Sequence, residues 1–325
     1  MERAPRPRRK RGMTTPAGGE DPDRTTPFVS VIVYAREARS AIRTVLESLR
    51  CQEGIEAAEV LVADASDDGT TEIIQREHPW VRHITVAGAT MPEGKGQAIA
   101  QARGSLIAFI DAFDRAEPGW LQSIQETFSG LAPDVFGIGG EVVIEGPEVW
   151  GNLAGYLFEY GAFAPEIREG QTLGDLPGNN MAYRREVFDE ICPDLLPGGF
   201  YKPFFHRRIH AQGGHLHLTR SMRVHHHIRM GIWAFCRRRY HYGRCFGAMR
   251  RTRAAPLEKF KLALLIPVVP ALLSVRHLRR ARSNPATRHL TVGASLPLVI
   301  LCVAWGWGEI LGTWFGAGRS CRMVY

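Results

Sequence analysis

An apolar run, Leu106-Ile-Ala-Phe-Ile110, stops at Asp111, and a second carboxylate, Asp114, follows three residues later. A buried strand ending in acids is how an α/β enzyme sets charge at the carboxyl edge of a parallel sheet, where ligands bind. A carboxylate there can hold a divalent cation, Mg or Mn, and the cation can hold a diphosphate. Upstream, Lys95 stands between Gly94 and Gly96. Glycines admit close backbone approach and the ammonium supplies a point charge for phosphate. Phe113 occupies the place where a metal site would most want its second acid. Asp114 can replace that acid only if the chain has left strand geometry, because successive strand side chains point to opposite faces.

The surrounding pattern must position these groups. From residue 28 the chain alternates between strand and helix. Strands are expected at 29–33, 60–63, 83–86 and 106–110, with helices at 38–50 and 71–77 and another ending at 99–103. This alternation predicts a Rossmann-type, mostly parallel, doubly wound sheet. Beyond it the pattern loosens to a strand at 135–143 and helices at 149–163 and 181–191. The last of these is preceded by Gly178-Asn179-Asn180.

The 325 residues carry a net charge of +8, but the charge is unevenly spread. Residues 202–288 hold 20 Lys or Arg against one acid, Glu258. Such a block suits an anionic membrane surface or nucleic acid, and the apolar runs beside it favour the membrane and argue against nucleic acid. Residues 262–275 form a short apolar run broken by Pro267 and Pro270, which reads as a re-entrant or surface helix. Residues 290–308 carry no charge and are long enough to cross a bilayer. The basic stretch 276–282 between them belongs on the cytoplasmic side by the positive-inside tendency. Residues 1–27 lack an apolar core and read as a disordered basic tail rather than a signal peptide, which keeps the catalytic part cytoplasmic at the cell membrane. The six cysteines have no close pairs, which predicts neither a zinc site nor a disulfide framework and suggests a reducing compartment.

Several pieces then fall in a telling order: Val29-Ser-Val-Ile-Val33, Asp64-Ala-Ser-Asp-Asp68-Gly-Thr70, Gly94-Lys95-Gly96, the strand ending at Asp111 followed by Pro118-Gly-Trp120, and Gly178-Asn-Asn-Met-Ala-Tyr-Arg184. Arg223-Val-His-His-His227, Tyr242-Gly-Arg244 and a tail with Ala304-Trp-Gly-Trp-Gly-Glu309 come after them. Together they resemble an inverting family-2 glycosyltransferase with a GT-A fold and a membrane-associated tail. The expected layout is a basic tail at 1–27, a GT-A-like domain at 28–230, a basic amphipathic linker at 231–261 and a hydrophobic membrane region at 262–325.

The resemblance implies transfer of a sugar from a nucleoside-diphosphate donor to a lipid-linked or other glycan acceptor near the membrane. It assigns the donor to Ala35, Arg36, Glu37, Asp64, Lys95 and Asp111, and the acceptor side to Gly178, Asn179 and Asn180. It implies a metal at Asp111, Asp114 and His226, since one of the three adjacent histidines can face the site. Asp64 can equally shape the turn after its strand. The arginines at 237–239 fall where the family clamps acceptor or pyrophosphate, and are expected to serve mostly the membrane surface. One departure is large. Counting back from Arg208, the family's paired Glu-Asp falls on Tyr201-Lys202, so the acid that serves as general base is missing there, and of the catalytic acids the resemblance implies only Asp111 stands at its matching position. Three explanations stand. Asp194 or Asp189 takes over as base; or the acceptor is a lipid phosphate that needs none; or the chain is a degenerate scaffold that binds a nucleotide sugar or a partner enzyme.

Overall fold

The computed structural model describes residues 28–146, 149–172, 174–227, 230–253 and 268–324. The expected tail at 1–27 and the first part of the apolar run at 262–275 lie outside them. Four strands form the parallel half of the sheet: β1 (Val29–Ala35), β2 (Ala58–Asp64), β3 (Arg82–Thr85) and β4 (Leu106–Asp111). Their crossovers are α1 (Ile42–Arg50), α2 (Thr70–Glu77) and α3 (Met91–Ile99). The period-2 alternation of these strands divides the core in two. Val29, Val31, Val33, Leu106, Ala108 and Ile110 face one apolar cluster, whereas Ile32, Tyr34, Ile107 and Phe109 face the other.

The remaining strands are β5 (Asp114–Ala116), β6 (Val135–Glu145), β7 (Gly170–Thr172), β8 (Asn180–Arg184) and β9 (His215–His227). Among the described residues the nine strands run β3-β2-β1-β4-β8-β6-β9-β5, with β7 on the side of β9. β8 is antiparallel to β4 and β6, so the parallel half gives way to a mixed half just past Asp111. Residues 180–184 are therefore strand, against the helix expected over 181–191; only a single wide turn, Val187–Ile191, follows. A short run buried on both faces has no periodicity to separate strand from helix.

The helices of the second half are α4 (Trp120–Gly130), α5 (Trp150–Glu159), α6 (Lys202–Ala211), α7 (Ile232–Arg253), α8 (Val269–Ser283) and α9 (Thr291–Phe315). Ala281 of α8 and Ala294, Leu298 and Leu301 of α9 belong to the same apolar cluster as β1 and α1. Glycines let α7 and α9 touch backbone to backbone. A Cβ on Gly308 would lie 2.1 Å from the Tyr240 carbonyl oxygen, and one on Gly312 2.1 Å from that of Arg244. One cysteine expectation is overturned here: Cys245 of α7 is disulfide-bonded to Cys321, 76 residues away. Spacing alone cannot reveal a bridge that only helix packing brings together, and the reducing-compartment reading loses its premise.

Candidate active site

Asp111 closes β4 on the same face as Phe109, by the strand period. Lys95 reaches it from α3. Its ammonium sits 5.5 Å from the centre of the Phe109 ring and donates to Asp111 Oδ1 and to the Gly178 carbonyl, each at 3.2 Å. Lys95 is thus held on a helix rather than in a glycine loop. That helix begins at Thr90, whose backbone N–H donates to the Glu93 carboxylate at 2.8 Å. The flanking glycines serve packing, since a Cβ on Gly94 would meet the Tyr34 ring at 2.7 Å.

After Asp111 the chain turns at Ala112 and Phe113 and re-enters the sheet as β5. The turn supplies the break in strand geometry that Asp114 needed. Asp114 pairs with His226 of β9 and is almost fully buried. One of its oxygens meets His226 Nδ1 and the other accepts from the Asp111 backbone N–H at 3.2 Å. Burial pushes the Asp114 carboxyl up to about 6, against the pull of His226. Burial works against the charged imidazole, yet Asp114 outweighs it and raises His226.

A cavity of about 200 Å³ opens in front of these groups. Its polar lining includes Arg36, Glu37, Asp111, Glu159, His226 and Arg238, with His227, Tyr34 and Tyr160 beside them, and its apolar lining includes Met91, Phe113, Met230 and Phe235. Glu37, just past the end of β1, takes the left-handed backbone conformation with φ at 51° and lines the cavity. Glu159, at the end of α5, forms an ion pair with Arg239 at 2.5 Å. Burial opposes its charge, but Arg239 and Arg238 hold the carboxyl below its usual range. Arg238 and Arg239 therefore turn inward, not toward a membrane surface. The position of the arginine run did not announce this; the partner Glu159, some 80 residues earlier, decides it.

Other expected residues lie elsewhere. Ala35 is buried in the core. Asp64 is buried and committed to its own turn, where Oδ1 accepts from Ser66 N at 3.0 Å and Oδ2 from Thr71 Oγ1 at 2.6 Å. Asn180 is a strut: Trp120 Nε1 donates to it at 2.8 Å, and its amide donates to the carbonyls of Glu141 and Met222. Asn179 is different, being wholly buried with no partner for either side-chain atom among the described residues. Asp194 does not line the cavity and accepts from both terminal nitrogens of Arg208 at 3.0–3.1 Å. Lys202 is paired with Asp175 at 2.8 Å and also donates to the Leu176 carbonyl.

The donor set bears directly on a cation. Among the described residues no three His, Cys, Asp or Glu side chains gather closely enough to hold a metal by themselves. Asp114 has both oxygens engaged, one by His226 Nδ1 and the other by the Asp111 backbone N–H, and so orients His226. With Nδ1 turned to Asp114, His226 keeps Nε2 for the cavity it shares with Asp111. One carboxylate and one imidazole fit a cation whose remaining ligands are diphosphate oxygens and water.

A mixed sheet of this order, with an acid closing its fourth strand in front of a cavity, has the architecture of the GT-A fold, and the comparisons agree. The description "Glycosyl transferase family 2" matches residues 30–192, half of the chain, and the chain belongs to that family. A second description, a protein family of unknown function (DUF2826), matches residues 213–309. An uncharacterized glycosyltransferase of Nostoc sp. is 28% identical over 186 residues, covering 51% of this chain and 53% of that protein. The succinoglycan biosynthesis protein ExoO of Rhizobium meliloti is 27% identical over 201 residues, covering 61% and 53%. The chain thus spans about half the length of these curated relatives. Among solved structures, the mannosyltransferase PcManGT from Pyrobaculum calidifontis, in complex with GDP-Man and Mn²⁺, superposes with a TM-score of 0.56. It is 20% identical and covers 90% of this chain and 89% of its own.

Proposed function

We propose that this protein is a glycosyltransferase that moves a sugar, with inversion, from a nucleoside-diphosphate donor to a lipid-linked acceptor at a membrane surface. The observation that carries the reading is the cavity in which Asp111 and the Asp114-oriented His226 meet Arg36 and Arg238. The acceptor oxygen attacks the anomeric carbon from the face opposite the diphosphate, the bond from that carbon to the diphosphate breaks, and the nucleoside diphosphate leaves. Asp111 and His226 would hold a Mg or Mn ion, which supplies charge neutralisation for the leaving diphosphate. Arg238 adds a fixed positive charge beside it. Lys95 holds Asp111 in place and also donates to the Gly178 carbonyl, beside the buried Asn179.

The acceptor reading starts from the residues that stand where the general base is expected. Neither Lys202, committed to Asp175, nor Asp194, committed to Arg208, is placed to take a proton. An acceptor that arrives anionic needs no base, and a lipid phosphate matches a cavity with Met91, Phe113, Met230 and Phe235 beside its arginines. The exposed basic run over residues 276–282 supports the cytoplasmic leaflet. Lys202 equally favours a second reading, a scaffold that binds donor without transferring it.

Calorimetry with UDP- and GDP-sugars, with Mn²⁺, Mg²⁺ or chelator, separates the two readings. The solved neighbour makes GDP-mannose the first donor to try. The proposed enzyme binds one donor only with metal, loses about 100-fold or more of turnover onto a polyprenyl phosphate in Asp111→Asn, and keeps its fold. Binding without transfer to any lipid phosphate supports the scaffold. Folded protein that binds no donor rejects both.

A further inference from the structure

By length and composition the helical segment Arg288–Phe315 can cross a bilayer. Its packing speaks for another arrangement. Along one side α9 buries Ala294, Leu298 and Leu301 in the catalytic core. Farther along it lies against α7: Gly243 meets the Trp305 carbonyl and Gly247 that of Glu309. The two helices run in parallel, because rising positions on one meet rising positions on the other. α7 is rich in arginine. Arg250 pairs with Glu309 at 2.8 Å, and Arg251 donates to the carbonyls of Thr313 and Trp314. If α9 crossed a bilayer in this arrangement, it would draw α7 in beside it, with Arg238 and Arg239 near mid-membrane. Charged side chains are costly to hold at the bilayer centre.

The opposite side of α9 is an unbroken apolar stripe. Val292, Leu296, Ile300, Val303, Trp307 and Trp314 recur at intervals that keep one face, and all are exposed. Leu272 and Val275 of α8 and Trp150 of α5 are likewise exposed, and Trp150 packs against Gly293 at the start of the stripe. Exposed arginines neighbour it in the chain: Arg276, Arg279 and Arg282 on α8, Arg288 just before α9, and Arg319 and Arg322 beyond its end. An apolar face bordered by cations is complementary to the acyl boundary and phosphates of an anionic bilayer.

We propose that α9 lies in the plane of one anionic leaflet, stripe downward, and does not cross it, so that the whole described chain stays on one side. The proposal rests on the membrane-proximal part of the proposed function and not on its chemistry.

The test uses the full chain with the free thiols Cys51 and Cys236 replaced by Ser and single nitroxide-labelled cysteines at positions 296, 303 and 314. These are bound to vesicles of phosphatidylcholine with phosphatidylglycerol, and label depth is read by paramagnetic relaxation. An in-plane helix puts the three labels at one depth, roughly 5–10 Å below the headgroups. A crossing helix rises 1.5 Å per residue and separates positions 296 and 314 by roughly 27 Å along the normal, which would overturn the proposal. The double variant Leu296→Lys, Trp307→Lys should lose vesicle affinity at least about tenfold. Equal affinity, or wild type that ignores vesicles and instead forms a dimer by light scattering, also overturns it. Near-ultraviolet circular dichroism confirms that each variant is folded. Donor calorimetry on the same samples reads the catalytic proposal separately, so either can fail alone.

Discussion

Glu159 shows how one side chain can organise a site from behind. It is buried between Arg238 and Arg239, and only the ion pair makes that burial tolerable. Glu159→Gln removes the compensating charge and leaves Arg239 stranded. Urea unfolding should show a loss of about 3–5 kcal/mol. Adding Arg239→Met to Glu159→Gln removes the stranded charge and should recover part of that loss. His206 gives a residue-scale dependence on pH. Tyr183 Oη contacts its Nε2 at 2.6 Å and Asp175 its Nδ1 at 2.9 Å, a set that one neutral tautomer satisfies. Burial lowers its pKa below the ordinary 6.5, against the pull of Asp175. The folded state therefore holds the neutral imidazole while the unfolded chain takes up a proton. The stability this group contributes is complete above pH 6.5 and declines as pH falls below it. Asp175, whose half-exposed carboxylate is held low by Lys202 and His206, extends the loss to lower pH. Unfolding midpoints should fall from pH 7 to 5, and less steeply in His206→Gln. Midpoints that fall equally in both would reject the assignment. Asp111 was readable in the sequence because a strand end is a local signal. Glu159, Arg238 and the saturation of Asp64 were not, since partners far apart in sequence decide them.

At the scale of elements, α7 and α9 depend on closeness that only glycine allows. A side chain at position 308 would overlap the Tyr240 carbonyl, and one at 312 the Arg244 carbonyl. Gly308→Leu should force the helices apart, expose Glu309 and Arg250 to separation, and cost about 3 kcal/mol or more. Faster trypsin cleavage within α7, read against an unchanged catalytic sheet by mass spectrometry, is the expected signature. Cleavage at the wild-type rate would show that the close contact contributes little. The same pair explains which elements the sequence exposed. The βα half was legible because period-2 strands and amphipathic crossovers repeat there without interruption. β8 was not, because Asn180–Arg184 is buried on both faces and its register comes from β4 and β6. Nor was the docking of α9, whose uncharged run satisfies a length criterion while its glycines answer to α7.

The whole molecule is closed by the bond between Cys245 and Cys321, which returns the end of the chain to α7 after α8 and α9 have been laid down. Arg244, one residue before the bridge, donates to the Gly316 carbonyl at 3.1 Å just past the end of α9. This places a cation where the helix dipole favours one. The bridge thus fixes the end of the helix pair that presents the apolar stripe, while the other end is held by the core around Leu298 and Leu301. Closing a loop of 76 residues restricts the unfolded chain by up to about 4.5 kcal/mol in the chain-entropy account. Reduction should lower the unfolding midpoint accordingly, Cys321→Ser should reproduce the drop, and reductant should then do nothing further. Asp111 and His226 belong to strands that the bridge does not join, so donor binding should survive in both cases. Vesicle affinity should weaken, because a stripe no longer pinned at one end must be ordered again each time the protein settles on the membrane. Reduction that abolishes donor binding would instead show that α7 depends on the bridge to keep Arg238 in the cavity.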